Sequence, residues 1–375
     1  MRDSSRLERL RRYLAADPNN LHLLQDAANA ALDESALDDA AGLIARYRAL
    51  AEPPPALINV EGMIAMRSGD YATARGAFEA LRGAGHDHPA VRFNLAWLSA
   101  LEGRFSEVAA LVDNAVIDAV PPAAALKVQA LHHLGDIDGA VALGRALVER
   151  LPKDEALLGA LSVAAMDADD YTLAEEMALR AGADADALTT RGLIALNADE
   201  PAAAIGLFEQ ALVHQPEAPR AWLGKGLGLL AAGDADAAAP CLEKGAAIFR
   251  DHLGSWIAVG WVHFLRRDLA AARRAVETAL AHDETFAETH GALATIDLAE
   301  GAIDSARRRI EIAQRLDKDC FGAMFARTLL LEMQGKPELA ARIRDRAMEL
   351  PAGIDGRTLA QAIAGLGLAH GVRQP

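Results

Sequence analysis

Small residues recur along this 375-residue chain at a step of 34. Counting from Gly226, the positions 34 residues to either side are Gly192 and Gly260, and the register continues through Ala294 and Thr328 and back through Ser162, Val128, Ala96, Gly62 and Ala28. A second set lies twelve residues on, at Ala40, Ala74, Val108, Ala140, Ala174, Ala204, Ala238, Ala272, Ala306 and Ala340, with spacings of 34, 34, 32, 34, 30, 34, 34, 34 and 34. Between the two sets fall Gly69-Asp70, Gly103-Arg104, Gly135-Asp136, Gly233-Asp234, Gly301-Ala302 and Gly335-Lys336. A period of this length means small units that cannot bury an apolar face alone and gain a core only by stacking.

The composition says what the units are made of. Hydrophobic residues make up 52% of the chain but aromatic ones only 5%, and no stretch alternates apolar and polar residues for long. Alanine and leucine at that level favour helix over sheet. Glycine between the two marker positions supplies the left-handed conformation that ends a helix. Each unit is therefore expected to be a helical hairpin, whose first and second helices are called A and B. The stretch RAWLGKGLGLLAAGDADAAAPCLEKG, residues 220–245, shows the cost of this design, since each glycine inside a helix loses about 1 kcal/mol against alanine. Small side chains at Gly226, Ala238, Gly260 and Ala272 repay it by letting helix axes approach. Gly224 and Gly228 lie outside the period and are not explained by it.

The same residues resemble the tetratricopeptide repeat, with its pattern W-x2-L-G-x2-Y, then A-x3-F, then P on a 34-residue step. Trp256, Val259, Gly260 and His263 followed by Ala272, Val276 and Ala279 match it, as do Trp222, Gly226, Ala238 and Leu242. Gly192, Ala204, Phe208, Ala211 and Pro216 match in the sixth unit, and Gly62, Ala74 and Phe78 in the second. The first, fourth and ninth units match less well, and the fifth is four residues short at its end. The resemblance implies an all-α fold, a right-handed superhelical solenoid of tandem antiparallel helix hairpins, running as one domain over residues 1–375. About ten hairpins are expected over 20–352, with an N-terminal capping helix at 4–16 and a C-terminal one at 355–369. Pro53-Pro54-Pro55 and Pro121-Pro122 stand between units and are too brief to be domain linkers.

Charge and motif content narrow the function. The net charge is −15, and residues 1–250 hold 22 basic and 36 acidic side chains against 16 and 17 in residues 251–375. Nucleic acid is not an expected partner, because phosphate binding needs clustered cations. Arg273-Arg274 and Arg307-Arg308-Arg309 are expected to be solvated outer faces of helices. Cys241 and Cys320 are too far apart and too few for a disulfide framework, which fits a reducing compartment. With no signal-like apolar run and no membrane-spanning stretch, a cytoplasmic location is expected.

No catalytic set emerges. His86 and His88 flank Asp87 in GHDHP but lack a clear third metal ligand. His132-His133 ends a first helix, where a cation suits the helix dipole. Asp136 and Asp138, and Asp167, Asp169 and Asp170, fall at turns between A and B helices, where aspartate caps the following helix, and not at calcium-loop spacing. A G-x-G-x-G run without a preceding strand is no dinucleotide loop. The expectation is a non-enzyme with no cofactor and no metal.

In proteins of the resembled family ligands lie along the A helices. The corresponding positions here include Asn29, Asn59, Met63, Phe93, Trp97, Gln129, His132, Leu193, Leu227, Trp261, Phe264 and Phe325. Large aromatics such as Trp97, Trp261 and Phe264 are typical hot spots, and the amides of Asn29, Asn59 and Gln129 can bond an extended main chain. A chaperone-type carboxylate clamp would need more cations than Arg67 and Arg220. The implied role is a scaffold or chaperone holding a polypeptide with apolar anchors and some positive charge, in a bacterial secretion or envelope-assembly system by family analogy. A self-associating structural protein, or a regulatory subunit of an enzyme encoded elsewhere, is the alternative.

Overall fold

The computed structural model describes residues 5–349, in which all regular structure is helical. The first helix, α1 (Arg6–Ala16), precedes the repeats. Hairpins follow: α2 (Leu21–Asp33) with α3 (Leu37–Arg48), α4 (Pro55–Arg67) with α5 (Tyr71–Gly83), and α6 (Pro89–Leu101) with α7 (Phe105–Leu111). A single short helix, α8 (Asn114–Ala119), intervenes before α9 (Ala123–His133) with α10 (Ile137–Arg150) and α11 (Glu155–Asp167) with α12 (Tyr171–Arg180). Next come α13 (Ala185–Asn197) with α14 (Pro201–His214), α15 (Pro219–Ala231) with α16 (Ala235–Phe249), and α17 (Leu253–Leu265) with α18 (Leu269–His282). The last two pairs are α19 (Ala287–Ala299) with α20 (Ile303–Leu316) and α21 (Phe321–Met333) with α22 (Pro337–Met348). Among the described residues the helices after α1 thus pair into ten hairpins, with α8 between the third and fourth. The closing helix expected at 355–369 lies outside the described residues.

The chain gathers into two compact units, residues 1–164 and 165–375. In the first, α1 packs on the initial hairpin, burying Leu7 and Leu14 against the core that runs through Leu24, Ala28, Leu43 and Leu57. Its start is also tied down by the Glu34 carboxylate, which accepts from the Leu7 amide at 3.0 Å. In the second unit the core centres on Phe208 and Leu242, both fully buried.

The glycines inside helices now have a packing account. A Cβ on Gly226 would lie 2.6 Å from Leu242 Cγ, and one on Gly62 would lie 2.8 Å from the Phe78 ring. Gly224, which the period left unexplained, faces Phe208, whose Cζ would stand 2.3 Å from an added Cβ. Gly192 meets the same ring at 2.6 Å, so one phenylalanine is seated against glycines of two successive A helices. Gly228 is next to Ile205 at 3.0 Å. Each contact is below van der Waals separation for a real methyl group, so the space is already filled.

Every A-to-B turn places one residue in the left-handed region. Six are the glycines named above, and the other four are Ser35, Asp169, Asp199 and Arg267, with φ between 57° and 62°. The following residue then caps helix B. Asp70, Asp136, Asp170, Asp234 and Asp268 each accept a hydrogen bond from the amide three residues on. These five aspartates are thus capping groups, whereas the capping role expected of three others does not hold: Asp167 pairs with Arg220, Asp169 takes the left-handed turn itself and Asp138 lies in the first turn of α10. Among the described residues no group of three His, Cys, Asp or Glu is placed to hold a metal ion.

The third hairpin departs from the expected regularity. Its second helix, α7, stops after seven residues, and Asp113 opens α8 by accepting from Val116 N at 3.0 Å. Arg92 pairs with Asp113 at 2.9 Å, and Lys127 of α9 donates to the Ala109 carbonyl near the end of α7. A helix B of ordinary length is thereby replaced by two short pieces within the usual span; the 32-residue step between Val108 and Ala140 comes instead from α9, which has 11 residues where α4 and α6 have 13.

The basic clusters are corrected in part. Arg274, Arg307 and Arg308 are exposed, as a solvated face requires. Arg273 and Arg309 instead turn inward and hold Asp297, whose side chain is only 3% exposed, at 2.6 and 3.1 Å. Arg273 also reaches Glu300 at 2.6 Å, and these bonds raise its guanidinium pKa further above its already high value. A carboxylate that deep in α19 requires paired cations, because an unpaired buried charge is prohibitively costly.

Candidate partner-binding face

On each A helix, positions four apart lie on one side. In the first unit this puts Gln25 with Asn29, Asn59 with Met63, and Phe93 with Trp97 on shared stripes, and Gln129 beside His132 one turn apart. All eight are half-buried, so none is lost to the core. The stripe is partly engaged already. Asn29 Nδ2 donates to the Gln25 carbonyl at 2.9 Å, and Asn59 Nδ2 lies 3.6 Å from Met63 Sδ. Trp97 meets the edge of Tyr71 at 6.2 Å between centroids. His132 meets His133 edge-on at 5.7 Å, and His133 in turn stacks on Phe105 at 4.1 Å with 8° between planes. Tyr71, Phe105 and His133 were not among the sequence-derived candidates. They sit one residue after turns or at helix ends, where the A-helix register does not point.

In the second unit Leu193 is half-buried and Leu227 is 43% exposed, the most open of the candidate residues. Arg220, at the start of α15, forms a bidentate pair with Asp167 at the end of α11, at 3.0 and 2.5 Å. Trp222 turns away from this pair, its indole N–H bonded to the Pro216 carbonyl at 2.8 Å and its ring beneath Lys244 Nζ at 4.5 Å.

Trp261, Phe264 and Phe325 are brought together. Trp261 contacts Phe264 and Phe325 edge-on, both at 5.8 Å, and Phe325 stacks with Phe321 at 6.2 Å. Trp261 belongs to α17 and Phe325 to α21, two hairpins on, so the pair spans the intervening A helix. That helix, α19, is buried along almost its whole length, from Thr289 to Leu298. The reason is a backbone contact: a Cβ on Gly291 would lie 2.5 Å from Ala323 N, and one on Gly322 would lie 3.1 Å from the Gly291 carbonyl carbon. Glu288 completes the junction by accepting from Phe321 N at 2.6 Å and Gly322 N at 2.9 Å, capping α21. Phe321, 38% exposed, is the aromatic that the sequence reading missed, although its four-residue spacing from Phe325 is visible.

No catalytic chemistry is assembled on these faces. Burial pushes the Cys320 thiol up to about 12 and raises that of Cys241, so both are thiols rather than nucleophilic thiolates at neutral pH. His263 is buried and hydrogen-bonded to Glu243 at 2.8 Å, with no accompanying nucleophile. Among the described residues the A helices offer an apolar and aromatic surface with amides and ion pairs such as Arg220–Asp167.

The tetratricopeptide repeat family model matches residues 59–124 and 189–252. No curated protein matches the chain. Among solved structures the chain is similar to that described as the APC/C hetero-tetramer Cut9–Hcn1, with 12% identity over 94% of this chain and 78% of that one and a TM-score of 0.57. It is also similar to a monomeric mutant of IFIT1 with Gppp-AAAA, with 10% identity over 92% and 95% and a TM-score of 0.50. A structure of Pseudomonas aeruginosa PilF matches with 17% identity over 55% and 96% and a TM-score of 0.46. At these identities the likeness to the first two is one of fold alone.

Proposed function

From the tetratricopeptide repeats in two regions of the chain and its all-helical hairpin fold, we propose that it is a non-enzymatic scaffold or chaperone that holds a polypeptide on its A helices. The observation that carries this reading is the row of half-exposed side chains at Asn59, Met63, Phe93 and Trp97 in the first unit; in the second, Leu193 and Leu227 hold comparable positions on their own A helices. Apolar groups kept at a helical surface, flanked by amides that can bond a peptide main chain, suit an extended segment with apolar anchors. The net charge of −15 favours a segment carrying some positive charge. The sparse and buried cysteines support a cytoplasmic setting, and a role in bacterial secretion or envelope assembly belongs to the same proposal.

Affinity capture from native lysate tests it, with intact protein beside a Trp97→Ala, Leu227→Ala variant of unchanged helicity. A protein recovered by the intact form and lost by the variant supports the scaffold. Identical sets, or recovery of the chain alone, count against it, the latter in favour of self-association.

A further inference from the structure

We draw no further inference here: the strongest candidate, the aromatic patch that Trp261 and Phe264 of α17 form with Phe321 and Phe325 of α21, is an unpartnered apolar face, and nothing in the structure shows what covers it.

Discussion

At Gly224 a single methyl group has two opposing effects. Alanine raises intrinsic helix stability by about 1 kcal/mol, but its Cβ would stand 2.3 Å from a fully buried phenylalanine ring, and overpacking of that kind costs roughly 1–3 kcal/mol. Gly76, also within a helix, has nothing within 4 Å of an added Cβ. Gly76→Ala should therefore stabilise and Gly224→Ala destabilise, a difference in sign that urea unfolding of the two variants will show. Arg267 poses the converse case. Its φ of 62° places a long side chain in the left-handed region at an exposed turn, a conformation that costs a non-glycine residue about 1 kcal/mol or more. Arg267→Gly should raise the midpoint of thermal unfolding, and an unchanged or lowered midpoint would show that the turn is not strained.

Among the elements, α19 is the least tolerant. It carries Asp297 into the interior between Arg273 and Arg309, so Asp297→Ala removes the buried carboxylate both guanidinium groups share, leaving Arg309 without it and Arg273 with Glu300 at 2.6 Å. A loss of about 3 kcal/mol is expected, whereas Arg307→Ala, on the exposed side of α20 with only a 3.6 Å pair to Asp304, should change stability by less than about 0.5 kcal/mol. Chemical denaturation of both variants compares them directly. The capped turns give an acid-side signature. Hydrogen bonds from the Thr73 side chain and backbone hold the Asp70 carboxyl below its usual range. A depressed folded value stabilises above the unfolded pKa of about 3.9 and is lost as pH falls through the lower folded one. Asp70→Asn removes this titration, so its stability should lie below the parent's near neutrality and converge with it as pH falls through that window, giving a flatter profile there.

Over the whole molecule the net charge of −15 is the dominant long-range term. Like charges repel in the compact state and salt screens them, while most of the ion pairs lie at the surface, where each contributes little. The thermal midpoint should accordingly rise between low salt and about 0.15 M ionic strength. A fall would mean that ion pairs such as Arg220–Asp167 outweigh the repulsion.

The period, the hairpins and their packing residues were legible in the sequence because they are set locally: a 34-residue spacing of small side chains has no other use than close helix approach, and glycine before aspartate both ends one helix and caps the next. The choice of the A-helix face at Asn59, Met63, Phe93 and Trp97 came from the family resemblance, and helical periodicity added only that residues four apart share one stripe. Other features depended on contacts between residues remote in sequence. Ser35, Asp169, Asp199 and Arg267 take the left-handed turn because the hairpins around them require it, against their own preferences. The split of α7 and α8 rests on Arg92 and Lys127 from neighbouring helices, and the inward turn of Arg273 and Arg309 on a carboxylate in α19. Most plainly, Trp261 and Phe325 lie 64 residues apart and meet only because Gly291 and Gly322 let two backbones touch. Periodicity names the face on which a side chain lies, and only tertiary packing decides what stands opposite it.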